Sequence, residues 1–111
     1  MSMNDRRRYY RVVYPQPDRP KILINNISCA VHDICEMGIQ FEANNLVLEK
    51  EFLGRLEFAD GEQVEVRGSI LRKIQERVVM VLNSAHCIPF SRIMKEQRQL
   101  LKKYRFFDAT H

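Results

Sequence analysis

Four arginines and two tyrosines fill residues 6–11, RRRYYR, near the start of a 111-residue chain. Arginine carries a planar fork of donors that binds phosphate bidentately, pairs with the O6 and N7 edge of guanine, and stacks over rings. In an extended chain the side chains alternate. Arg7, Tyr9 and Arg11 then project one way, and Arg6, Arg8 and Tyr10 the other. Arg7 and Arg11 stand roughly 13 Å apart in that geometry, which suits two ends of one elongated anion or two anionic groups. In a helix the same pair would be neighbours at roughly 6 Å. The run alone fits a solvated basic tail as well as an anion grip, because basic runs are weakly specific signals.

A second group lies in DICEMG, residues 33–38. Asp33 and Cys35 have the same strand parity, and Gly38 follows as a turn residue. A carboxylate accepts hydrogen bonds from the N1–H and N2–H₂ donors of guanine. A glycine permits close backbone approach or positive φ. The overlapping stretch CAVHDIC also spells Cys29-x₂-His32-x₂-Cys35. On a regular strand Cys29 and Cys35 share a face while His32 points to the other, which argues against a shared metal. His86 and Cys87 add no zinc-like spacing. The same separation of Cys35 from His32, with no oxyanion-hole motif, argues against a catalytic thiol. These residues read as a binding site, with no enzyme, metal or cofactor expected.

The elements that must position them are mostly strands. The first segment, to about residue 20, is polar, basic and punctuated by Pro15, Pro17 and Pro20, which predicts an arm that is flexible when nothing holds it. From Lys21 the period becomes two. KILIN and SCAVHDIC are strand-forming. GIQFEA alternates with Ile39, Phe41 and Ala43 on one face and Gln40 and Glu42 on the other. FLGRLEF places Phe52, Leu56 and Phe58 together, and QVEVRGSILRKI does so for Val64, Val66 and Ile70. Asp60-Gly61 predicts a two-residue type I′ hairpin between these last two strands. VVMVL adds a further strand. From Pro89 to about Tyr104 the period is helical, with Phe90, Ile93, Met94, Leu101 and Tyr104 on one stripe and Gln97 its polar member. That stripe is expected to pack on an antiparallel barrel or sandwich.

RRYYR at Arg7 to Arg11 and DICEMG at Asp33 to Gly38 together resemble the two-part signature of the PilZ domain, an RxxxR arm followed by a [D/N]xSxxG strand and turn. Ile34, the following GIQF strand, the strand series and the C-terminal IPFSRIMKEQRQLLKKY helix fit the layout of its single-domain members, so the resemblance spans nearly the whole chain. It implies a six-stranded antiparallel β-barrel, over residues 21–111, with a C-terminal helix. It also implies a receptor for cyclic di-GMP, a bacterial second messenger. By that resemblance Arg7 and Arg11 grip phosphate and guanine edges, and Asp33, Cys35 and Gly38 line the guanine pocket. Arg6 occupies a position associated with binding an intercalated pair of ligand molecules. Because the two half-sites lie apart along the chain, ligand binding is expected to order the 1–20 arm and change the surface seen by a downstream protein partner. The chain departs from the pattern at Cys35, where a thiol, a weaker hydrogen-bond partner, replaces the usual serine.

Bulk properties agree with an acidic ligand without choosing one. The formal charge is +4 and the pI about 9.1. A small nucleic-acid-binding barrel is the main alternative, although the strands offer no run of exposed aromatics for base stacking. A PilZ-like adaptor that binds protein without nucleotide is a further one. Three cysteines make a disulfide framework unexpected, and the N-terminus lacks a secretory h-region, so a cytoplasmic location is expected. No window is apolar enough for a membrane span.

Overall fold

Period-two alternation produces seven strands. In the computed structural model, which describes residues 10–43, 46 and 49–104, they are β1 (Val12–Val13), β2 (Lys21–Ile24), β3 (Ile27–Cys35), β4 (Gly38–Glu42), β5 (Glu51–Glu57), β6 (Gln63–Ile74) and β7 (Arg77–Leu82). One α-helix, α1 (Phe90–Lys103), follows. All pairings are antiparallel. The order β3-β2-β5-β6-β7-β4 closes on itself through a β3–β4 pairing, giving the expected six-stranded barrel, and β1 is an extra strand on β3. The inward residues form one core in which Ile22, Val31, Ile34, Phe41, Leu56 and Val78 are fully buried. Arg6, Arg7 and the rest of residues 1–9 lie outside the described residues.

The β2–β3 hairpin turns through Asn25 and Asn26, both at positive φ (54° and 66°). That pair has the two left-handed residues a type I′ turn needs, and asparagine tolerates them. The turn predicted at Asp60-Gly61 takes another form. Among these two only Gly61 is at positive φ (94°), and its N–H donates to Phe58 O at 2.9 Å while Phe58 N–H donates to Glu62 O at 3.0 Å. The connection is therefore three residues, 59–61, with the glycine in the bulge position.

Residues 10–20, read as arm, are part of the packed structure. Val12 and Tyr14 are buried in the core, and Tyr14 N–H donates to His32 O at 2.9 Å. Polar composition hid this, because only the two alternate residues of RVVY reach inward.

The helix also differs from its predicted stripe. Its buried residues are Arg92, Ile93, Glu96 and Leu100, whereas Phe90 and Leu101 are 49% and 42% exposed. The helix is turned about a quarter-turn from the apolar stripe, counted at 3.6 residues per turn. The reason is an ion network. Arg92 Nη1 donates to Asp60 Oδ2 at 2.8 Å and to Glu62 Oε1 at 2.5 Å, and Nη2 pairs with Glu96. Its guanidinium lies 4.0 Å from the Phe58 ring centroid. Tyr14 Oη donates to Glu96 Oε1 at 2.6 Å. Two charged residues are thus inside the interface because each has its partners. Asp18 adds a second tie, accepting from Lys103 Nζ at 2.5 Å and from the Tyr104 hydroxyl.

Removing Arg92 leaves Glu96 buried without its cation. Arg92→Met is expected to lower unfolding stability by about 3–5 kcal/mol, and Tyr14→Phe by about 1.5–3 kcal/mol, in urea titrations. A loss below about 1 kcal/mol for Arg92→Met would show that apolar packing alone holds the helix. The hydrogen bond from Arg92 holds the Asp60 carboxyl well below the usual carboxylate range, and that from Lys103 lowers Asp18. A depressed carboxyl contributes stability above its unfolded pKa and loses it as pH falls through the folded value. The urea midpoint should therefore fall below about pH 4, and Asp60→Asn should flatten that fall.

Candidate functional site

The alternation of β3 is broken once. Val31 pairs with Phe41 and Asp33 with Gln40, so His32 is an extra residue that opposes nothing on β4. Before it Cys29 and Val31 are buried in the core; after it Ile34 is. An unbroken strand would aim Asp33 and Cys35 inward with Val31. The bulge turns both to the outer face, where they are half-buried. It also revises the parity of CAVHDIC, since Cys29 and Cys35 lie on opposite faces. Among the described residues no group of histidine, cysteine and acidic side chains is arranged to hold a metal. His32 itself is nearly buried, with Nε2 against the Glu42 carboxylate.

β1 brings the arginine run to this face. Val12 pairs with Ile34 and Val13 with Asp33, so one step earlier in the register Arg11 falls level with Cys35. Its charge is felt at both Asp33 and Cys35. Arg11 is exposed, with its neighbour Val12 wholly buried. Three sequence-predicted residues from two distant segments therefore meet here: Arg11, Asp33 and Cys35. Arg6 and Arg7 fall outside the described residues.

Gly38 starts β4, opposite Cys35 on one side and Val81 on the other. Its φ is not in the left-handed region. A Cβ there would stand 3.4 Å from Cys35 Sγ and 3.5 Å from Met80 O, ordinary contacts, so the fold itself tolerates a side chain at this position. Gly68 is the contrary case, where a Cβ would lie 2.0 Å from Val81 O. The turn between Cys35 and Gly38 is tied down from outside. Met37 O accepts from Leu82 N–H at 2.9 Å and Glu36 O from Ile88 N–H at 3.1 Å. Burial pushes the Cys35 thiol up, while main-chain hydrogen bonds from Met37 and Gly38 oppose the shift. It stays a neutral thiol at pH 7, the reverse of an activated nucleophile.

Two residues that belong to neither motif complete the cluster. Gln40 Nε2 donates to Asp33 Oδ2 at 3.0 Å, and Arg77 Nη1 donates to Gln40 Oε1 at 3.2 Å. Alternation had put Gln40 on the outer face of its strand, but only the β3–β4 register sets it beside Asp33. Arg72 is exposed on β6, in the cross-strand row Asp33–Gln40–Val79–Arg72 and about 10 Å from Gln40 at the usual strand spacing. A shallow cleft of about 230 Å³ lies elsewhere, lined by Arg19, Lys21 and Glu57 among others, and contains none of these residues.

No protein-family model and no curated protein matches the chain. Among solved structures, the crystal structure of an uncharacterised Legionella protein superposes with a TM-score of 0.69 at 16% identity, covering 85% of this chain and 99% of that one. The likeness is one of fold. Among the described residues no helix is long and apolar enough to cross a membrane.

Burial raises the Asp33 carboxyl above its ordinary value, against the opposing charges of Arg11, His32 and Arg77. A raised carboxyl prefers its proton in the folded state, so ionising it costs stability as pH rises through the unfolded value towards the folded one. Asp33→Asn is expected to raise the urea midpoint at pH 7 and to leave it unchanged below about pH 3.5. A lower midpoint for the variant at pH 7 would mean that the ionised carboxylate is net stabilising through its arginines.

Proposed function

We propose that this protein is a cyclic di-GMP receptor of the PilZ type, binding its ligand on the outer barrel face around Arg11, Asp33, Cys35 and Gly38. The observation that carries this reading is the β1–β3 register, which sets Arg11 level with Cys35 and next to the row of Asp33. A cation and a carboxylate acceptor side by side match a ligand that carries phosphates next to guanines. Arginine serves the phosphate or the guanine O6 and N7 edge, and the carboxylate serves N1–H and N2–H₂. In this reading Arg7 adds the second cation of the arm, and Arg6 favours an intercalated ligand pair. Gly38 leaves room beside Cys35 for a base to approach. The role is binding and not turnover, in keeping with the neutral Cys35 thiol.

The signal is a change at the N-terminal segment. A ligand held by Arg7 and Arg11 as well as by Asp33 ties residues before β1 to the barrel, and a downstream protein reads the altered surface. Thermodynamically the ligand favours that docked state by its differential affinity for it. Hydrogen-exchange protection over residues 5–11 is expected to rise at saturation.

One calorimetric comparison of cyclic di-GMP, GTP and a mixed oligonucleotide tests the reading. Preferential binding of cyclic di-GMP is expected. Oligonucleotide binding that falls steeply with salt and shows no such preference would assign the basic face to nucleic acid instead. Arg11→Ala removes a charge-assisted contact of roughly 1.5–3 kcal/mol and should weaken cyclic di-GMP more than about tenfold. Cys35→Ser restores a stronger hydrogen-bond partner and should bind equally or more tightly. Clearly weaker binding by the serine variant would remove position 35 from the site.

A further inference from the structure

The Asp33 carboxylate can recognise guanine only as a pure acceptor. A protonated carboxyl would present an O–H towards the N1–H of the base. Burial works against the acceptor form, the charges of Arg11, His32 and Arg77 favour it, and a directional hydrogen bond can hold it further. The three-residue line Arg77–Gln40–Asp33 has the polarity to do so. The Gln40 amide has two ends, and only its NH₂ end suits an ionised carboxylate. If the amide flipped, Oε1 would face Asp33 Oδ2, acceptor against acceptor, and would instead suit a protonated Asp33. Arg77 donates to Oε1 at 3.2 Å, and arginine has no acceptor form. It therefore fixes which end of Gln40 points at Asp33, where Nε2 donates at 3.0 Å.

We infer that Gln40 and Arg77 are positioning residues for guanine recognition, with Arg77 orienting the Gln40 amide so that Asp33 is held as a hydrogen-bond acceptor. This rests on the cyclic di-GMP reading for its ligand. Gln40 on β4 and Arg77 on β7 lie outside both the arginine run and DICEMG. Because each carboxylate oxygen has two lone pairs, Oδ2 can take the Gln40 amide and still serve the ligand together with Oδ1. Adenine, which presents an acceptor at N1, meets an acceptor at Asp33 and is rejected. The relay therefore acts on specificity more than on attraction. The groups that face Asp33 are Arg11 on β1, His32 and Cys35 on its own strand, Gln40 on β4 and Arg77 on β7. Among the described residues, Gln40 donates a hydrogen bond to the carboxylate and carries no charge of its own.

The test combines two measurements on the full chain. Carbon-detected NMR follows the Asp33 carboxyl titration without ligand, and calorimetry measures cyclic di-GMP against cyclic di-AMP. Gln40→Leu removes the amide at similar size. It should move the Asp33 titration to higher pH and reduce the preference for cyclic di-GMP by about threefold to tenfold, the worth of one hydrogen bond. Arg77→Met should reduce the preference in the parent background and much less in the Gln40→Leu background, where only its direct charge on Asp33 is left to lose. Loss of an Arg77 charge acting on the ligand alone would weaken both ligands equally and leave their ratio intact. An unmoved Asp33 titration in Gln40→Leu, or fully additive losses of preference, would overturn the inference. If the parent binds no cyclic di-GMP, the proposed ligand fails, and the Asp33 titration in Gln40→Leu still decides whether Gln40 holds the carboxylate.

Discussion

The extra residue at His32 makes two positions of β3 share one step of β4, and the inward series moves from Cys29 and Val31 to Ile34. The outward aim of Asp33 and Cys35 depends on that step. Without it a carboxylate and a thiol would point into an apolar core, where an ionised Asp33 would be costly without a partner. With it they emerge beside β1 and β4, whose residues supply Arg11 on one side and Gln40 on the other. The bulge also explains how the closing β3–β4 pair can carry outward polar side chains. A closing strand pair must satisfy its hydrogen bonds along most of its length, and a single surplus residue re-aims side chains without giving up that closure.

A second constraint holds β1 in place. A two-residue strand is too short to stay on a sheet by its own hydrogen bonds. Val12 is buried in the core, Tyr14 reaches the Arg92–Glu96 pair, and Asp18 meets the end of α1. The helix is turned to present charged residues to the interior for this purpose, and the loop at Asp60 and Glu62 closes the arrangement from the far side. A buried ion pair is a weak source of net stability but a strong source of geometry, because every alternative arrangement leaves a charge without its partner.

The barrel was legible in the sequence because its signals are local. Ile39, Phe41 and Ala43, or Phe52, Leu56 and Phe58, announce a buried face by spacing alone. The helix was legible as a helix, but its orientation was not. Apolar count favoured Phe90 and Leu101, whereas the interface is organised by Arg92 and Glu96, whose burial depends on Tyr14, Asp60 and Glu62 far away in the chain. The parity of Asp33 with Cys35 could be read directly, and that of Cys29 with Cys35 could not, since a bulge leaves no mark in composition. Gln40 lay on the correct face of its strand and could not be matched to Asp33 without the register. Asp60-Gly61 marks a turn by composition, but its three-residue form with Gly61 in the bulge position follows from how Phe58 pairs with Glu62, which the dipeptide does not specify.

Tyr14 and Asp18 fasten to α1 the same stretch of chain that begins with Arg11. Helix and Arg11 face are thereby two ends of one short lever. Reciprocity then follows from equilibrium alone. A partner that favoured a displaced α1 would change affinity at Arg11 by the factor with which a ligand there changed the partner's own affinity. The stiffness of eight residues, 11 to 18, sets how much of that work crosses from one end to the other.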